Sequence, residues 1–339
     1  MDQRPRAGRY LELLLFTLSA VLLYRTRIGV FFFLIPLQIV ASRKGLPALL
    51  AAEGIFVAAA AGIQAMTFLF PGAAPEPLVL VAVEAIVVAL FLLGLVIANL
   101  SPKGLPRAQH RLVATALMAG AAAVPTVLWL SGNAEFQSAM GEQYKALAAA
   151  LSAVSPAGDV VASSILSSLL EPERLRSLAE AIFLRSLAVS YLGLLAFCWW
   201  AGRAIAGRAA VIFGAPPRFS FAAFRLESWW LWPLIGAGAL VLLDLFSGLG
   251  QWAYPVWNAV LIVLFLYGLQ GMAILRFLFE KYRLPRLLWP LAIIVGGSLV
   301  FRGSPTAAAV ILLLIPVFGV SENWIRYRVP RSPEPTEQS

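Results

Sequence analysis

Eight residues able to do polar chemistry lie inside or beside long apolar runs: Glu53, Gln64, Glu84, Arg185, Asp244, Asn258, Gln270 and Arg302. A charged side chain in such a run costs about 2.5–3.5 kcal/mol on insertion scales, so it is expected to face a partner or a cavity. Glu53 and Gln64 are eleven residues apart, about three helical turns, and share one face. Glu84, Arg185, Asp244 and Arg302 lie toward the outer ends of their runs. Two acids and two bases near one depth are expected to converge, either locking helices together or lining a cavity for an anionic or zwitterionic solute. Asn258 precedes Gln270 by twelve residues, so both can face one side of a helix. Gly268 and Gly271 beside Gln270 predict a close helix contact or a ligand approach.

Other chemistries lack their residues. The sequence has no GxxxxGK[ST] loop for nucleotide phosphates and no HExxH zinc motif. One cysteine, Cys198, permits no internal disulfide, and with one histidine, His110, it cannot assemble a Cys/His metal site. His110 sits beside Arg111 in a basic loop and reads as solvated or in contact with head groups rather than catalytic. No catalytic residue, metal ligand or cofactor is assigned.

The elements that must position these groups follow from composition. Of 339 residues, 60% are hydrophobic and 13% charged, against about 25% charged in soluble domains. Apolar runs fall at 10–24, 28–42, 46–70, 77–98, 112–131, 181–202, 229–247, 254–279, 287–301 and 305–321. Lipid leaves the backbone only helices or closed barrels, and these runs lack the alternation of barrel strands. The expected fold is all-α: a polytopic helical membrane bundle of eight to ten transmembrane segments. The pairs 10–24/28–42 and 287–301/305–321 are short enough that each is read as a possible hairpin. Arg4, Arg6 and Arg9 before the first run imitate a signal sequence. Tyr24-Arg25-Thr26-Arg27 stands where a small-residue cleavage site would be, so an uncleaved first span is expected.

The net charge of +9 comes from 26 basic and 17 acidic residues. The basic residues lie in short loops, which indicates the cytoplasmic face and anionic head groups rather than nucleic acid. With the N-terminus inside, cytoplasmic segments hold Arg43, Lys44, Lys103, Arg107, Arg203, Arg208, Arg218 and Lys281, while 71–76 and 248–253 hold no basic residue. Both termini are expected in the cytoplasm. The membrane domain is 1–329. It includes an extracytoplasmic amphipathic insert at about 132–180, where Val161, Ile165, Leu166, Leu169 and Leu170 form a stripe. Two readings of that insert stand: a helix on the membrane surface or a lid over an outward cavity. Residues 330–339 are expected to be a disordered tail. Arg276 with Glu280, and Glu322 with Arg326, have the i,i+4 spacing of helical ion pairs.

Asn258, then Tyr267-Gly268-Leu269-Gln270-Gly271-Met272-Ala273, then Phe279-Glu280-Lys281 resembles a span of the YybS-like membrane proteins, a bacterial family of unknown function. Trp230-Leu231-Trp232-Pro233, Ile35-Pro36-Leu37 with Ser42-Arg43-Lys44-Gly45, and Phe318 through Arg328 are similar to further family motifs. The resemblance covers most of the chain. It implies a multi-pass protein of the bacterial cytoplasmic (inner) membrane, similar to the substrate-binding S components of energy-coupling-factor transporters. Those components dock through an AxxxA on their first span, which 10–24 lacks. The expected function is binding or transport of a small solute without an ATPase of its own. The alternative is a non-transporting membrane scaffold or assembly factor. Expected partners are the lipid bilayer, a small-molecule solute and a membrane partner subunit.

Overall fold

A computed structural model describes residues 6–26, 31–69, 78–100, 108–154, 171–210, 221–285, 288–302 and 305–328. These residues form eleven α-helices and three single-turn 3-10 helices, with no strand among them. The helices are α1 (Arg6–Arg25), α2 (Leu34–Lys44), α3 (Leu46–Leu69), α4 (Leu78–Ala98), α5 (Ala108–Ser131), α6 (Ala134–Val154), α7 (Pro172–Ala210), α8 (Leu231–Ser247), α9 (Ala253–Lys281), α10 (Leu288–Arg302) and α11 (Pro305–Ser321). The protein is an all-α, multi-pass membrane protein.

Among the described residues, six helical stretches are long and apolar enough to cross a bilayer: Leu46–Met66, Leu78–Ala98, His110–Ser131, Pro172–Gly207, Ser228–Ser247 and Gly250–Lys281. The shorter apolar helices in α10 and α11 are Leu288–Leu299 and Ala308–Ser321. The expected span at 28–42 becomes α2, eleven residues long. At about 1.5 Å per residue it reaches roughly half the hydrocarbon thickness. Leu34, Pro36, Leu37, Gln38, Ile39, Val40 and Ala41 are all buried, the signature of a core helix rather than a lipid-facing one.

The described residues of the expected insert at 132–180 fall on two helices. Its first part is α6, and its last residues are the opening turns of α7. That helix runs unbroken for 39 residues, about 58 Å and well beyond one bilayer core. Arg176 on α7 hydrogen-bonds Gln137 on α6 and pairs with Glu180 at 2.8 Å. The stripe Val161–Leu170, the tail at 330–339 and the side chain of Arg302 lie outside the described residues.

The chain divides into two compact units, Met1–Pro216 and Pro217–Ser339. In unit 1, α2 lies at the centre of a core that includes Phe33, Leu34, Leu37, Leu49, Phe56, Leu95, Tyr191 and Leu195. Phe33 stacks on Phe56 at 5.0 Å, and Tyr24 meets both rings edge-on at 5.8 and 5.5 Å. The α2–α7 crossing is set by Gly202, where a Cβ would come within 2.6 Å of Gln38. Cys198 is fully buried, and its thiol donates to the Phe31 carbonyl at 3.2 Å.

In unit 2, α9 packs against α8 and α11. A Cβ on Gly271 would collide with the Ile315 carbonyl, and one on Gly319 with the Tyr267 carbonyl. Only glycine lets the two backbones approach that closely. The expected close approach is therefore present at Gly271. Gly268 is less confined, since its Cβ would sit at 3.7 Å from Pro316 in ordinary contact. Outward faces of this unit are strongly apolar, with Phe246 89% exposed, which suits acyl chains rather than water.

Candidate functional site

Six polar or charged residues are buried among the described ones: Thr17, Gln38, Glu53, Thr115, Gln270 and Glu322. Thr17 and Thr115 return their hydroxyls to carbonyls of their own helices, Leu13 and Leu112. Gln38 exchanges hydrogen bonds with Asn99, donating at 3.1 Å and accepting at 2.7 Å, and also donates to Ser42. Sixty-one residues separate this amide pair, which sequence spacing gave no means of finding.

Glu53 differs from these. It shares a buried face of α3 with Leu49, Ala52 and Phe56, at the i, i+3, i+4 and i+7 spacing that puts side chains together on one stripe. It is 8% exposed, and its Oε1 is sealed from solvent with no hydrogen-bond partner among the described residues. Buried polar atoms in native proteins are nearly always bonded, so this oxygen needs an explanation. Gln64, its expected companion, is half-buried and about 16 Å further along the helix.

The expected outer cluster is distributed over both units. In unit 1, Glu84 on α4 accepts a hydrogen bond from the Tyr24 hydroxyl on α1. Arg185 lies on α7 and is engaged in interactions of its own. In unit 2, Asp244 closes the α8–α9 turn. Its Oδ1 accepts from the Leu249 backbone at 2.8 Å and its Oδ2 from the Trp257 indole at 2.9 Å. Asp244 thus has a local role at this turn. Asn258 donates back to the Tyr254 carbonyl of its own helix at 2.8 Å.

Gln270 is the best-anchored residue of unit 2. It is 2% exposed; its Oε1 accepts from the Leu226 backbone at 2.8 Å. Its Nε2 donates to the Gly319 carbonyl at 3.0 Å and to Glu322 at 2.8 Å. Glu322 in turn meets Arg328 Nε at 2.9 Å, and Arg328 also donates to the Ala222 carbonyl at 2.8 Å. This corrects the expected Glu322–Arg326 pair. Helix α11 ends at Ser321, so i,i+4 geometry no longer applies, and Arg326 is exposed. The irregular chain after the helix turns Arg328 inward instead. Burial pushes the Arg328 guanidinium below its ordinary value, while Glu322 works against that shift and Arg225 adds to it. The Arg276–Glu280 pair forms as expected, at 2.8 Å.

Compared with known protein families, curated proteins and solved structures, the chain matches none of them. The described residues contain no group of three His, Cys, Asp or Glu placed to hold a metal.

Proposed function

We propose that this protein binds a small solute within its membrane-spanning helices and carries it across a bacterial cytoplasmic membrane, without an ATPase of its own. Glu53 carries the reading. Among the described residues, the other five buried polar residues have hydrogen-bond partners inside the protein, whereas Glu53 holds a buried carboxylate oxygen with none. A carboxylate in a spanning helix is too costly for a packing role when Leu or Ala would fill the stripe better. A proton, a cation or a donor group on a solute would complete it. The resemblance of 258–281 and 318–328 to YybS-like proteins points the same way.

The test is mass spectrometry of small molecules released from the detergent-purified chain. A solute retained by the wild type and lost from Glu53→Gln, with the variant's melting temperature unchanged, supports the reading. Equal retention by both proteins would contradict it.

A second reading rests on a separate observation. The Gln270–Glu322–Arg328 network joins two helices and the segments around Ala222 and Leu226 through paired groups, as a scaffold or assembly factor requires. Under that reading a partner subunit copurifies with wild type and Glu53→Gln alike.

A further inference from the structure

Glu53 stands about 10 Å along α3 from Leu46, and its surroundings narrow what can complete it. Leu49, Ala52 and Phe56 on the same stripe are each fully buried, in a core that also draws Ala20 from α1 and Leu34 and Leu37 from α2. Helices α1, α2 and α4 pack on α3, and the titratable side chains described on them are occupied elsewhere. Glu12 pairs with Arg43, and with Lys44 at 3.3 Å. Tyr24 donates to Glu84 while its ring lies against Phe56. Tyr10 and Arg25 are exposed. Glu53 Oε1 is left sealed among carbon, with no donor from the described residues.

A metal cation gathers about six to eight oxygens. The stripe and the core facing it supply aliphatic and aromatic carbon instead, and no group of three His, Cys, Asp or Glu is placed to help among the described residues. A solute arrives from outside the protein, so it does not account for the state of the oxygen before it comes. An ionised carboxylate isolated in apolar surroundings neutralises rather than keeps its charge. A proton is the one ligand that needs a single oxygen and no cavity.

We propose that the resting ligand of Glu53 is a proton, which makes this a site where solute entry exchanges against proton release. The exchange rests on the reading of Glu53 as the solute site. The carboxyl O–H gives up its proton to water, the electron pair stays on the oxygen, and the carboxylate so formed accepts a cationic or hydrogen-bond-donating group of the solute.

The full chain and its Glu53→Gln variant, purified in dodecyl maltoside, which has no carbonyl of its own, are compared by infrared spectroscopy in neutral and strongly alkaline buffer. A protonated carboxyl shows a C=O stretch that a carboxylate lacks, and ordinary carboxyls are already ionised at neutral pH. The wild type is expected to show such a band in neutral buffer and to lose it in alkaline buffer, and Glu53→Gln to lack it throughout. Should that variant fail to fold, dicyclohexylcarbodiimide, which couples to protonated carboxyls in apolar surroundings, should label the wild-type peptide bearing Glu53 in neutral buffer and label it several-fold less in alkaline buffer. A band in a wild type that releases no solute keeps the proton at Glu53 and removes the solute from it. A solute lost from Glu53→Gln, without any such band in the wild type, keeps the solute and overturns the proton. The proposal is likewise overturned if the band persists in Glu53→Gln, or if the carbodiimide leaves Glu53 unlabelled.

Discussion

In unit 2, Glu322 is 5% exposed and meets both Arg328 and Gln270 within 2.9 Å. In unit 1, Glu53 is 8% exposed, and one of its oxygens meets no donor among the described residues. Burial is nearly equal, and partnership is opposite. A buried carboxylate paired to a guanidinium and an amide is part of how helices are joined, and losing it breaks the joint. A buried carboxylate with a vacant acceptor adds nothing to the apo fold and gains a partner only when something binds. The contrast is one of these two carboxylates: Glu322 is tied into its unit, whereas Glu53 keeps a buried oxygen that meets no donor among the described residues.

The largest effect should come from breaking the paired side of this contrast. Glu322→Ala leaves Arg328 buried without its carboxylate and strips a bond from Gln270, so it should cost about 3–5 kcal/mol. Chemical denaturation in detergent would measure it. A loss below about 1 kcal/mol would show that water reaches Arg328 and that the network is not a lock.

Next come the glycines at the α9–α11 crossing. Gly271→Ala and Gly319→Ala drive a methyl group into a backbone carbonyl and should each cost about 1–3 kcal/mol. Gly268→Ala meets only Pro316 at 3.7 Å and should be neutral or slightly stabilising through helix propensity. If thermal melting ranked the three variants alike, the crossing would not depend on Gly271 and Gly319.

A smaller loss should follow from Asn99→Leu, which leaves the fully buried Gln38 amide short of its reciprocal partner. About 1–3 kcal/mol is expected, read by the same denaturation. An unchanged midpoint would show that Ser42 alone satisfies Gln38.

Much of this organisation was legible in the sequence. The runs at 46–70, 77–98, 112–131, 229–247 and 254–279 reappear within a few residues as α3, α4, α5, α8 and α9, because uniform apolarity at bilayer length has one structural solution. Gly271 was legible because glycine in a span has value chiefly at a close backbone approach. The role of α2 was not, since an apolar run reads alike whether lipid or protein surrounds it. Nor could the insert be separated from α7, whose charged opening turns continue straight into its apolar middle. Pairings set by tertiary structure were invisible: Gln38 with Asn99, Asp244 with Trp257, and Arg328 in place of Arg326 at Glu322. Glu53 stood out as a charge in an apolar run, but that its oxygen lacks a partner among the described residues is a fact of packing that no spacing rule supplies.

The contrast between the two carboxylates is tested most directly by replacing each with leucine and melting both purified proteins beside the wild type, without added ligand. Glu53→Leu removes an unsatisfied buried oxygen from an apolar stripe, so it should melt at or above the wild-type temperature. Glu322→Leu should melt several degrees below it. A fall for Glu53→Leu as large as that for Glu322→Leu would show that Glu53 is a structural contact, and would contradict its assignment as the vacant site of unit 1.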